Sequence, residues 1–544
     1  MVRFCLPVIL GLSMLGAMPQ PAVAQAVLAS GRQAAVALAP QLNFSADEMA
    51  LAEAVADSPQ LASFYGSNGL RPIFQGADGA RLRDALREVA ATAQRHGLPA
   101  GRYRPRDPAA AGQGLESEVI HAQILLRYDL DMTGGAIRPA DADPQIRRQV
   151  NRPDAARLIR DFVAAPDPAA YLAGLAPDAP AYLALQDALA GSADLTVPDG
   201  IAPAPVALWR IGMSGDGVVA LRTRLASIGF SAPSDDPSVY DAALSGAVAE
   251  YQRAAGLHSD GVAGPDTIGR LNGDLPGLGD WRSRMIAVAL ERMRWMGGED
   301  LQARHVWVNI PEFTARIMDR GDEIFRTRVV VGKTAPDMRT PEFSDRMEYV
   351  VVNPRWNVPR SITVKEYLPR LKANRHAVSH LDVVDGRGNV IPRSRIDFSR
   401  YTAANFPYRM RQKPSDDNAL GLVKFIFPNP WNIYLHDTPT KHLFRNSSRA
   451  YSHGCVRVGD PFDLATQLLS PQSDDPRGLF QRALDSGRER WLALTPNVPV
   501  HLVYFTAFPD QSGQIRFHED IYGRDAAVWD RLQALGLDSV GESD

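Results

Sequence analysis

Cysteine is nearly absent: the 544 residues hold two, Cys5 and Cys455. Cys5 lies in an N-terminal stretch with the form of a removable export signal, which leaves Cys455 as the one thiol of the mature chain. An intramolecular disulfide framework is thereby excluded. Net charge is also nearly absent, with 59 Lys plus Arg against 62 Asp plus Glu. That balance speaks against a general nucleic-acid binder. Past the first residues no apolar run approaches the ~20 residues of a membrane helix. A four-ligand metal spacing is missing too. Two histidines and one cysteine near position 455 lack a fourth ligand for zinc, so neither metal nor cofactor is expected.

What is present begins with a positive start at Arg3, an apolar run Leu6–Met18 and the site Ala22-Val23-Ala24-Gln25. These make residues 1–24 a secretory signal peptide, cleaved after Ala24; the membrane is a partner only if this segment stays uncleaved. A lone exported thiol is a candidate for catalysis or for intermolecular pairing. At 22% charged and 45% hydrophobic residues the rest reads as soluble and globular, and its length suggests two to four domains.

Residues 25–42 form an Ala-rich lead. Ser45 and Glu48 then fit a capping box. Helical patterns run to Phe64, from Ala80 to His96 before Gly97, from Glu116 to Met132, and near Tyr182–Leu189. We read 45–195 as a helical scaffold. A Pro-rich linker spans Leu195–Ala207. In 206–273, Val218, Leu221, Leu225 and Ile228, then Leu244, Val248 and Tyr251, then Ile268 and Leu271 mark three short helices, with Pro265 opening the last. A second linker, 273–279, precedes a helix over 281–296. The period then falls from 3.6 to 2: Val306, Val308 and Ile310 alternate, Gly321-Asp322 reads as a hairpin turn, and Glu348–Val352, Leu422–Phe427, Ile433–His436 and Val498–Phe505 read as strands. The expected fold is therefore α+β and multidomain, with a β-rich domain over 280–525. Within it, residues 355–413 carry thirteen Lys or Arg against four acids, with Trp356, Tyr367, Tyr401, Phe406 and Tyr408 interleaved. This suggests a basic, aromatic flap over a site for an anionic substrate.

Cys455 sits in Ser452-His453-Gly454-Cys455-Val456-Arg457. A thiolate is the nucleophilic form, and an adjacent imidazole can take the proton and leave an ion pair. Two histidines compete. His453 is two residues from the thiol, and in an extended turn its ring need not reach it. His436 lies 19 residues upstream, a spacing that a strand and a return can close, and is preferred. The Asp437 carbonyl is placed to hold one of its ring nitrogens. Gly454 lets backbone approach a substrate carbonyl. The amides of Gly454 and Cys455, with the Tyr434 hydroxyl, are candidates for an oxyanion hole. Ser452 and His453 belong to the same candidate substrate and oxyanion set, and Arg457 either holds the turn or binds a carboxylate.

These residues carry a resemblance. Ser-His-Gly-Cys-Val-Arg with an upstream His is similar to the L,D-transpeptidase catalytic (YkuD-like) domain. Gly212–Leu225 and Tyr251–Thr267 resemble the peptidoglycan-binding type 1 domain. Val352–Pro359, Asp417–Gly421 with Lys424-Phe425, Pro428-Asn429 and Tyr434–Pro439 are similar to the large scaffold-bearing YcbB type of Gram-negative bacteria, from which Pro414-Ser415 departs in lacking a Gly after the Pro. The resemblance implies Cys455 as nucleophile, His436 as proton acceptor and donor, a capping insertion within 355–413 and a periplasmic location. It also implies a reaction joining the diaminopimelate residues of two peptidoglycan stem peptides through a cysteinyl acyl-enzyme, with carbapenems as acylating agents. Other cell-wall enzymes are candidate partners. Two other outcomes stay open: an L,D-carboxypeptidase or endopeptidase using the same site, and a non-catalytic wall-binding protein.

Overall fold

The protein is described by a computed structural model covering residues 44–107, 112–193, 197–198, 200–255, 260–272 and 278–537. The expected signal peptide with Cys5, the Ala-rich lead and parts of both expected linkers lie outside the described residues. The architecture is α+β and multidomain.

The N-terminal helices start where local chemistry caps them. Ser45 N–H donates to Glu48 Oε2 at 2.7 Å and Glu48 N–H to Ser45 Oγ at 3.2 Å, so helix Ala46–Val55 opens on the reciprocal pair of a capping box. Gly97 closes the next long helical stretch at φ 65°. Among the helices that escaped the sequence reading are Ala155–Ala164 and Pro168–Ala173. Asp154 and Asp167 cap them by accepting from Ala156 N–H and Ala170 N–H, a signal their short length hid. Leu61, Phe64, Leu86, Leu125, Tyr128, Ile159 and Phe162 make the common core.

One scaffold residue contradicts its surroundings. Asp129 is fully buried, and neither carboxylate oxygen has a partner among the described residues. Burial alone pushes its pKa well above the usual carboxylate range. The folded chain therefore holds a proton here that the unfolded chain releases above its ordinary pKa. Stability is full below that value and falls as pH rises toward the folded one. Asp129→Asn is expected to stabilise by about 1–3 kcal/mol at neutral pH and hardly at all near pH 4. Thermal melts of both proteins at the two pH values check this; equal gains at both would contradict it.

The 216–272 unit is three helices, Asp216–Ser227, Ala242–Ala254 and Pro265–Asn272, around Val218, Leu221, Leu225, Leu244, Val248, Tyr251 and Ile268. Gln252 explains its motif residues physically. Its Oε1 accepts from Asp260 N–H (3.1 Å) and Gly261 N–H (2.9 Å), and its Nε2 donates to Val262 O (2.9 Å) and Thr267 Oγ1 (3.0 Å). One amide thus ties the turn to the next helix.

The C-terminal region is a nine-stranded sheet in the order 450–452, 322–332, 456–458, 435–436, 423–426, 343–352, 490–503, 305–309, 314–319. The 314–319 strand also pairs antiparallel with 322–332, so the sheet closes on itself. The hairpin expected at Gly321-Asp322 turns one residue earlier. Arg320 and Gly321 carry φ 54° and 83°, and Asp319 pairs with Asp322, as a two-residue primed turn requires. The strand expected at 498–505 begins at Arg490, because its first part pairs with Val350–Val352 without an apolar pattern of its own. Val350, Val352, Phe425, Leu435, Val456 and Val458 fill the enclosed core with Leu464 and Leu468 of helix Pro461–Leu469.

The basic stretch within 355–413 is a subdomain rather than a simple flap. Trp356–Asn357, Arg409–Gln412 and Leu381–Val384 form a three-stranded sheet. The expected surface aromatics face inward: Trp356 and Phe406 are buried in its core, with Tyr367, Tyr401 and Tyr408 packed on it. Its Lys and Arg side chains stay mostly exposed. Aromatic spacing alone could not tell an inner face from an outer one. Among the described residues no helix is long and apolar enough to cross a membrane.

Candidate active site

Strand alternation builds the site. Val456 pairs with Leu435 and Arg457 with His436 in parallel register, while Lys424 and Phe425 pair antiparallel with His436 and Leu435. Residues paired across strands share a face. Phe425, Leu435 and Val456 enter the core. Lys424, His436 and Arg457 are therefore displayed in a row on the other face. Tyr434 and Cys455 join them there, one alternation away along their strands. Val456 N–H donates to Tyr434 O at 3.1 Å, which sets Cys455 beside Tyr434.

The turn before Cys455 is held from within. Gly454 has φ 111°, a conformation costly for any side chain. Ser452 Oγ donates to Cys455 O at 2.5 Å and accepts Gly454 N–H at 3.1 Å. This corrects the expected oxyanion pair: the Gly454 amide is already used, leaving the Cys455 N–H as the amide the turn offers an incoming oxygen. His453 is directed away, with Nε2 2.8 Å from Glu366 Oε1 of the capping subdomain.

His436 is buried, and its Nδ1 lies 2.5 Å from the Asp437 carbonyl. A carbonyl only accepts, so Nδ1 carries the hydrogen and Nε2 is the basic nitrogen. Asp437 is anchored in turn: its carboxylate accepts from Leu422 N–H at 2.9 Å and Thr438 N–H at 2.7 Å, and pairs with Lys441. Burial, then Arg457, lowers the His436 pKa to about 3. Burial pushes the Cys455 thiol up, opposed by Tyr434, whose main chain and hydroxyl both hydrogen-bond the sulfur, and by the charges of Lys424 and Arg457. Burial acts on both groups in the direction of their neutral forms. Desolvation outweighs the neighbouring cations.

Arg457 Nη1 donates to Thr440 Oγ1 at 3.0 Å. Its buried Nε has no partner among the described residues.

Lys424 belongs to a segment that carries the family resemblance, but the sequence alone gives it no role in the site. Its Nζ lies 3.7 Å above the Tyr434 ring, and burial lowers its pKa. The available signal was one charge at an alternating position inside Leu422–Phe427. Lys424→Met is expected to move the pH midpoint of Cys455 alkylation upward by about one unit. Iodoacetamide rates against pH check this; an unmoved midpoint would remove Lys424 from the site.

Residues 303–489 match the model of the L,D-transpeptidase catalytic domain, YkuD. Residues 59–189 match that of the scaffold domain, and 214–271 one described as "Putative peptidoglycan binding domain". A Haemophilus influenzae protein named "Putative L,D-transpeptidase" is 36% identical over 225 residues, 41% of this chain and 45% of that protein. The chain thus spans less than half the length of that relative. Among solved structures, an L,D-transpeptidase of Xylanimonas cellulosilytica aligns over 56% of this chain and 100% of that one at 16% identity and TM-score 0.15. One of Stackebrandtia nassauensis aligns over 55% of this chain and 96% of that one at 14% and 0.16. The chain carries an L,D-transpeptidase catalytic domain of the YkuD family, set behind a scaffold domain and a peptidoglycan-binding module.

Proposed function

We propose that the protein is a peptidoglycan L,D-transpeptidase that works through a cysteinyl acyl-enzyme in the periplasm. Cys455 Sγ attacks the carbonyl of the third residue of a tetrapeptide stem, usually diaminopimelate. His436 Nε2 takes the thiol proton as the C–S bond forms and gives it to the departing D-Ala amine. The side-chain amine of a second diaminopimelate then attacks the thioester. His436 accepts the amine proton and returns it to the sulfur, and an amide between two third residues results. The Cys455 N–H and the Tyr434 hydroxyl support the developing oxyanion. The exposed bases of the capping subdomain suit the substrate's carboxylates.

The observation that carries this reading is one row on one sheet face: a thiol, a histidine with its tautomer fixed by Asp437, and two cations. Intact-mass analysis with a carbapenem tests it. One adduct is expected on the wild type and none on Cys455→Ala. No adduct on a reduced wild type would leave a wall-binding protein as the better description.

A further inference from the structure

The carbonyl of Gly454, one bond before the nucleophile, is held by a residue outside the catalytic turn. Thr340 Oγ1 donates to it at 2.8 Å and accepts Gly332 N–H at 2.9 Å. A peptide is planar, so fixing this carbonyl also fixes the direction of the Cys455 N–H on the other side of the same plane. Thr340 is itself gripped. Arg524 Nη2 donates to its carbonyl at 3.0 Å, and Thr340 N–H donates to the Tyr522 hydroxyl at 3.3 Å. The Tyr522 hydroxyl donates to Gly332 O at 2.6 Å.

The grip continues into the scaffold. Fully buried Arg524 also reaches Asp143 Oδ2 at 3.3 Å, Gln145 Oε1 at 3.1 Å and Glu342 Oε1 at 3.1 Å. The scaffold main chain pairs with the loop that bears Thr340. Glu342 N–H donates to Gln145 O at 3.0 Å and Arg147 N–H to Glu342 O at 2.8 Å. The Gln145 side-chain amide adds a bond to Pro336 O. Asp143, Gln145, Tyr522 and Arg524 all lie outside the matched catalytic segment 303–489.

We infer that Thr340 is a positioning residue for the Cys455 oxyanion donor, and that the scaffold segment 143–147 and Arg524 set its place. The catalytic turn is then completed by parts of the chain on either side of the catalytic segment. A peptide plane free to tilt would weaken a hydrogen bond made to the developing oxyanion, while the carboxylate contacts that hold a substrate in the ground state would be untouched.

The inference rests on the proposed acyl-enzyme for its kinetic consequence, but its structural content is testable without it. In the full chain, Thr340→Val keeps the shape and removes the hydroxyl, Thr340→Ser keeps the hydroxyl, and Gln145→Ala removes a half-buried scaffold contact. Two readouts apply: carbapenem acylation resolved into its saturating rate and half-saturating concentration, and hydrogen exchange of the peptide covering 450–457. For Thr340→Val we expect the saturating rate to fall about 10–100-fold, with the half-saturating concentration changed less than about threefold and exchange in 450–457 accelerated. Thr340→Ser should recover the rate to within about threefold, and Gln145→Ala should shift both readouts in the direction of Thr340→Val by a smaller factor. A Thr340→Val protein with unchanged exchange in 450–457, or a Thr340→Ser protein as impaired as Thr340→Val, overturns the positioning role. Unchanged exchange in Gln145→Ala overturns the scaffold's part in it. If the wild type forms no adduct, the acyl-enzyme reading fails, while the exchange data still decide the inference.

Discussion

Cys455→Ser is expected to lose cross-linking activity by roughly a thousandfold or more, although the substitution changes one atom. The reason lies in the base. His436 is buried and pushed down to about 3, so it is a weak proton acceptor. It can assist a thiol, whose ordinary pKa is about 8.5, but not an alcohol far less acidic than that. The same argument fixes the pH dependence of the wild type. Burial raises the thiol, so the acylation rate should climb with pH through and above the ordinary thiol range. It should show no inflection near the usual histidine value of about 6.5. Carbapenem acylation rates between pH 5 and 10 measure this. A bell centred near neutrality would instead mean a resting thiolate–imidazolium pair.

Glu342→Leu should be the most destabilising single change outside the sheet core. Glu342 is buried between Arg292, at 2.6 Å, and Arg524, at 3.1 Å, and both guanidiniums are buried as well. Removing the carboxylate takes away the partner the two buried cations share, leaving Arg292 with Asp525 at 3.1 Å and Arg524 with Asp143 at 3.3 Å. Breaking a buried pair in this way costs about 3–5 kcal/mol. For a domain of this size that is a fall in Tm of roughly 10 °C. Asp525 offsets only part of the lost charge, because burial pushes its own pKa up to about 7. Glu342→Gln keeps the hydrogen-bond acceptor and should lose less. Thermal and urea melts compare the three proteins; a loss below about 1 kcal/mol for Glu342→Leu would mean that water reaches the cluster.

What was legible in the sequence was local. The capping box at Ser45, the stop at Gly97 and the three helices of the 216–272 unit rest on neighbours a few residues apart. The candidate nucleophile was legible because cysteine is so scarce. His436 and Tyr434 could be named from period-two alternation and from the motif, and strand register puts both on the sheet face that carries Cys455. The rest depends on contacts distant in sequence. Thr340 and Gly454 meet across 114 positions, and Arg524 and Asp143 across 381; no periodicity encodes such pairs. The aromatics of 355–413 were misread because a subdomain core and a binding surface have the same composition. The protonation state of the pair could not be read from the sequence because desolvation depends on what covers the site, which is a tertiary feature.

The central claim is that Cys455 passes an acyl group from one stem peptide to another. The most direct measurement is mass analysis of products from disaccharide tetrapeptides incubated with the purified protein, beside Cys455→Ala. The account predicts a dimer joined through two diaminopimelate residues, with one D-Ala released per link and no product from the variant. Tripeptide alone, with water as the acceptor, would contradict transpeptidation and make the protein a carboxypeptidase on the same site.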